Sequence, residues 1–186
     1  DANSPFDFDI SEPLNIGDNI DTKILNFYHF DKDYEFNVEY NMNNVNFYKD
    51  YPLVDLKIYF DAAGSPYIKE SLIEYLRPLV KGKSEHKAVS IILEFAQKAF
   101  PYKTDDAQFG REKFFFPDEI FYYPFSDCED RSILFAYLVK ELLELEVVGL
   151  EYPGHMCTAV RFNDNIDADY FMYKGKRYTI CDPTYM

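Results

Sequence analysis

The sequence predicts an α+β fold, in which a long helix packs on an antiparallel sheet behind a small β-rich N-terminal section. Three observations lead there. Residues 67–99 place apolar side chains at helical spacing in two stretches, residues 128–145 do so again, and the runs after them are strand-length and rich in aromatic and β-branched residues. The β-rich section is assigned to residues 1–62 and the larger domain to residues 63–186.

Taken in order, residues 1–17 mix Asp, Asn, Ser and Pro with isolated apolar positions and read as an irregular arm. Residues 23–30 and 34–40 are dense in strand-favouring side chains. Residues 53–60 alternate Val54, Leu56, Ile58 and Phe60 against Asp55, Lys57 and Tyr59, so a third strand is expected there. Gly64-Ser65-Pro66 punctuates the section. Residues 67–80 then set Ile68, Leu72, Tyr75, Leu76 and Leu79 on one helical face, with Pro78 expected to fray its end. Ser84 is the expected N-cap of a second helix with the stripe Ala88, Ile91, Ile92, Phe95, Ala96 and Ala99. Residues 101–123 are aromatic and irregular, and Phe114-Phe115-Phe116 must pack beneath something or line a groove. The third helix turns Ile133, Leu134, Tyr137, Leu138 and Leu142 inward. Strands follow at residues 147–151, 155–162, 169–173 and 177–182, the last two joined through Lys174-Gly175-Lys176.

The chain of 186 residues has 19 Lys and Arg against 33 Asp and Glu, a net charge of −14. That argues against a nucleic-acid partner, whose phosphates need clustered positive charge. A hydrophobic share of 47% is enough to bury a substantial core. The longest purely apolar run, Ile133 to Val139, is far below the ~20 residues that cross a bilayer, so no transmembrane segment is expected. The chain starts at Asp1 without a basic-then-apolar leader and reads as mature or trimmed, which leaves a periplasmic or extracellular location open. Cys128, Cys157 and Cys181 cannot all pair with one another, so a disulfide scaffold is excluded.

Cys128 stands out by its position. Ser126-Asp127-Cys128-Glu129 fits a capping box with Ser126 as N-cap and Glu129 reaching back, which places Cys128 in the first turn of the third helix. Amides of a first turn have no partner within the helix, so the Cys128 N–H can donate to an oxyanion forming beside its own sulfur. The helix terminus favours a thiolate, while Asp127, Glu129 and Asp130 oppose it and Arg131 offsets part of their charge. A reactive Cys128 therefore needs an imidazole. His29 and His86 suit ordinary core or surface roles, whereas His155 follows the turn Pro153-Gly154 and opens a strand. The other ring nitrogen needs an acceptor to fix its tautomer, and Asp182, ending the last strand before Pro183, is the candidate. Both intervals, Cys128 to His155 and His155 to Asp182, span 27 residues, enough to complete an element and return. By strand parity, if His155 and Asp182 face the helix, Cys181 points away from it. A Cys157–Cys181 disulfide is then disfavoured, and Cys157 becomes a small buried hydrophobe.

In this arrangement the sequence resembles a transglutaminase-like domain of the papain-like thiol enzyme superfamily. The resemblance lies in a Cys opening an apolar helix (residues 126–134), a short strand Val147-Val148-Gly149-Leu150, a His beginning a strand (residues 154–160) and a terminal Asp182-Pro183-Thr184. It covers residues 88–185. It implies a Cys128 nucleophile, a His155 base and acid, an Asp182 orienter, and a thioester resolved by water or an amine. It also implies a second oxyanion donor upstream of the Cys, for which Gln108 is the first candidate and Tyr122 the second. The expected activity is that of a peptidase, amidase or protein-glutamine acyltransferase on a peptide or protein substrate, with no cofactor. The alternative is a noncatalytic peptide- or glycan-binding scaffold that retains the triad. A zinc site of Cys128, His155, Cys157 and Cys181 is disfavoured, because no Cys-x-x-Cys knuckle is present.

Overall fold

The computed structural model describes residues 10–184. Residues 1–9, half of the expected arm, lie outside the described residues, and residues 10–19 form neither helix nor strand. Strands β1 (Ile20–His29) and β2 (Lys32–Asn41) make an antiparallel hairpin. Helices α1 (Met42–Lys49), α2 (Leu56–Asp61), α3 (Pro66–Ile68), α4 (Glu74–Val80), α5 (Glu85–Lys98), α6 (Asp105–Phe109), α7 (Glu119–Tyr122) and α8 (Cys128–Leu143) follow. A π-helical turn, Lys69–Ile73, joins α3 to α4 without a break, and Pro78 lies in the last turn of α4, which ends at Val80. Strands β3 (Glu146–Tyr152), β4 (His155–Arg161), β5 (Tyr170–Tyr173) and β6 (Lys176–Cys181) form an antiparallel sheet in the order β3-β4-β6-β5. The fold is α+β, and no helix among the described residues is long and apolar enough to cross a membrane.

Residues 53–60 are not a strand. Asp55 caps a helix instead, its side chain accepting the Lys57 N–H at 2.8 Å, and Lys57 pairs with Asp61 one turn on. The period-two alternation concealed a second pattern, in which Leu56, Tyr59 and Phe60 share a helical face. That face packs with Ile133 of α8 and with Phe116. The sequence carries no helical signal at α1, because its Asn-rich stretch has low helical propensity. Its start is set locally by Asn41, whose side chain accepts the Asn43 N–H at 3.0 Å.

One hydrophobic core joins the hairpin (Leu25, Phe27, Phe36), the helices (Leu72, Ile92, Phe95, Leu134, Leu138) and the sheet (Val160, Cys181). The phenylalanines of the aromatic stretch are packed, while Tyr102 and Tyr122 stay exposed. Phe116 is stacked between Tyr48 at 4.1 Å and Tyr59 at 4.4 Å, and Phe115 on Tyr123 at 4.6 Å. These contacts anchor the segment that precedes α8 and so fix where that helix begins.

Candidate active site

Helix α8 starts one residue later than the Ser126 box implies. Asp127 is the N-cap, and Asp130 rather than Glu129 closes the capping box, with Oδ2 accepting the Asp127 N–H at 3.2 Å. Ser126 is committed to the chain beside it. Its N–H donates to Pro101 O at 3.1 Å, its carbonyl accepts from Lys103 N–H at 3.2 Å, and its Oγ accepts from Arg131 Nε at 3.3 Å. Released from capping, Glu129 turns to the sulfur, and the Cys128 thiol donates to Glu129 Oε2 at 2.9 Å.

The sulfur also meets the backbone N–H of Met156, the residue after His155, so the head of α8 lies against the start of β4. His155 Nε2 and Asp182 Oδ2 are 2.7 Å apart. Asp182 is itself held, its carbonyl accepting from Gln97 Nε2 and its Oδ1 from the Thr184 N–H, both at 2.9 Å. The turn before His155 depends on Gly154, whose φ of 73° a side chain would disfavour. The end of the sheet thus collects the first residue of a helix, the first of a strand and the residue after another strand.

Contrary to the strand-parity expectation, Cys181 does not point away from the core. Thr158 is paired with Cys181, and Cys181 enters the main core beside Val160, so the face carrying Cys181 is the one that packs inward. His155, Cys157 and Ile180 belong to the opposite face. His155 opens β4 at the end of the sheet, next to the Met156 whose N–H meets the Cys128 sulfur. All three cysteines are buried and free, and Cys157 is the small buried hydrophobe expected of it.

Electrostatics work against a resting thiolate. Burial pushes the Cys128 thiol up to about 12, the bond to Glu129 and the charges of Glu129 and Asp127 add to this, and the Met156 N–H pulls the other way. Beneath it, three buried carboxyls meet: Asp105, Asp127 and Asp130. Burial raises Asp105 to about 6, Asp127 to about 7 and Asp130 well above the usual carboxylate range. Their oxygens lie within 4.8 Å of one another, the one such convergence of potential metal ligands among the described residues. Backbone N–H groups of Lys113, Asp105, Phe115 and Asp127 already serve those oxygens. Cys128, His155, Cys157 and Cys181 do not converge as a zinc site would require.

Of the upstream donor candidates, Gln108 lies in α6, a turn beyond the Asp105 that bonds Asp127, with Oε1 buried and without a hydrogen-bond partner. Tyr122 is placed on the hairpin side, its neighbours being Tyr40 and Tyr123. The residue that does approach Cys128 is Tyr102. It bridges to Ser126 in parallel, its ring carries the Arg131 guanidinium at 5.3 Å, and its phenol is pushed up to about 12 by burial and by the charges of Cys128, Asp127 and Glu129. Arg131 is buried, donating to Phe100 O at 2.6 Å. Only the aromatic character of residues 101–123 hinted at Tyr102, and nothing in the spacing singled it out.

A cleft of about 570 Å³ runs along β3 and ends near the site, lined by Leu56, Phe60, Gly149, Glu151, Met156 and Tyr173 among others. Its lining joins α2 to β3 and reaches Met156 of β4 and Tyr173 of β5. Comparison with family models, curated proteins and solved structures returns no match to this chain.

Proposed function

We propose that the chain is a thiol-dependent enzyme with a papain-like, transglutaminase-like core. Its Cys128, His155 and Asp182 attack an amide carbonyl, of a peptide bond or a glutamine side chain, as a peptidase, amidase or acyltransferase. The observation that carries this reading is the 2.7 Å pairing of His155 Nε2 with Asp182 Oδ2, beside the Met156 N–H that meets the Cys128 sulfur. With Nε2 engaged by Asp182, Nδ1 is the nitrogen through which the thiol proton passes. The sulfur then bonds to the carbonyl carbon, and the oxyanion meets the Cys128 N–H and the Tyr102 hydroxyl. Collapse breaks the C–N bond, and the imidazolium returns its proton to the leaving amine. Water or a second amine, deprotonated by His155, cleaves the thioester and regenerates the thiol.

The test is the rate at which iodoacetamide labels Cys128 near neutral pH, located by mass on the peptide because two other thiols are present. His155→Ala is expected to slow labelling at least tenfold, and Asp182→Ala less. Equal rates in all three proteins sink the proposal. One observation favours a noncatalytic scaffold: the resting thiol is bonded to a carboxylate rather than paired with an imidazolium.

A further inference from the structure

We infer that Glu129 is the specificity-determining residue of this site, and that the substrate is a peptide carrying a Lys or Arg side chain beside the attacked acyl group. The inference rests on the thiol-enzyme reading above. Its starting point is the 2.9 Å bond from the Cys128 thiol to Glu129 Oε2, which holds the proton His155 must take. For the sulfur to react, Glu129 has to let go of it. A cationic group that pairs with the carboxylate provides the reason to do so.

The surroundings offer a cation no competitor and several attractors. Glu112, exposed beside the site, feels the charge of Glu129, and Asp105 feels both. Asp127 and Asp130 are buried at 4% and 1% exposure and tied to backbone N–H groups, whereas Glu129 is half-buried and can swing toward solvent. Arg131, the one basic residue in the opening turns of α8, is held away from Glu129 by Phe100 O, Ser126 Oγ and the Tyr102 ring. Glu129, with Glu112 near it, therefore presents beside the sulfur a carboxylate with which Arg131 does not pair. An ammonium or guanidinium seated there neutralises Glu129 and strips the thiol of its acceptor in one step.

The experiment uses two methanethiosulfonates of opposite charge, trimethylammonioethyl and sulfonatoethyl, on the whole chain at low salt. Each rate at Cys128 is normalised to that with 2-mercaptoethanol. The thiolate fraction cancels in their ratio, which reports only the local field. The cationic reagent is expected to win by about tenfold or more, and Glu129→Gln to cut that preference about fivefold while raising the iodoacetamide rate. Glu129→Asp, which keeps the charge, retains most of the preference. A preference unchanged in Glu129→Gln overturns the role of Glu129 even while His155→Ala still slows labelling. Iodoacetamide labelling of Cys128 equal in the parent, His155→Ala and Asp182→Ala overturns the enzyme reading and this inference together.

Discussion

At Tyr102 the proposed oxyanion contact rests on a single hydroxyl. The ring is fixed by the Arg131 guanidinium and by the bridge to Ser126, and both contacts survive loss of the oxygen. Tyr102→Phe is therefore expected to leave thermal stability within about 0.5 kcal/mol of the parent, the range of ordinary half-exposed substitutions. If the phenol meets the oxyanion, kcat on an amide substrate falls about 10- to 100-fold with KM little changed, somewhat less than loss of a fully enclosed donor. A fall in KM-dependent binding alone would assign Tyr102 to substrate contact. The contact itself was illegible in the sequence. It joins residues 24 positions apart through a single parallel bridge, which leaves no periodicity to read.

Helix α2 and strand β3 meet through an absence. A Cβ placed on Gly149 would stand 2.8 Å from the Phe60 ring, so the strand admits the ring only because it lacks a side chain there. Gly149→Ala must push Phe60 out of the cleft wall, at a cost of about 1–3 kcal/mol, and lower Tm by roughly 2–12 °C. Calorimetry of Gly149→Ala, Phe60→Leu and the double variant checks this. The double variant should be more stable than the sum of the single effects, and strict additivity would show that the two residues do not clash. The sequence of the same helix also predicts a strand, because its apolar residues satisfy both periods. Only the partners waiting for Leu56, Tyr59 and Phe60 on α8 and Phe116 select the helical one.

For the whole molecule, the buried carboxyls at the head of α8 make stability depend on pH. Burial raises Asp105 to about 6 and Asp127 to about 7, above their values in the unfolded chain. Each group's contribution is thus fully present below about pH 4 and is lost as pH rises through 6 and 7. Tm should be higher at pH 5 than at pH 8. Self-repulsion at a net charge of −14 acts in the same direction, so the decisive comparison is Asp127→Asn, which should flatten the slope while keeping an acceptor for the Asp105 N–H. A slope unchanged in that variant would assign the effect to net charge alone. Local chemistry made much of this chain readable in advance. The helical stripes of α5 and α8, the strands β1 to β6 and the pairing of His155 with Asp182 follow from spacing, turn residues and strand ends, which are written within a few positions of each other. What the sequence could not decide was which carboxylate caps α8, which face of β6 turns inward, and what stands beside the sulfur. Those outcomes depend on Ser126 being claimed by residues 101–103, on Cys181 joining a core assembled from distant segments, and on Glu129 being released toward Cys128. Each is a competition between partners far apart in the chain, and only the folded packing sets their distances.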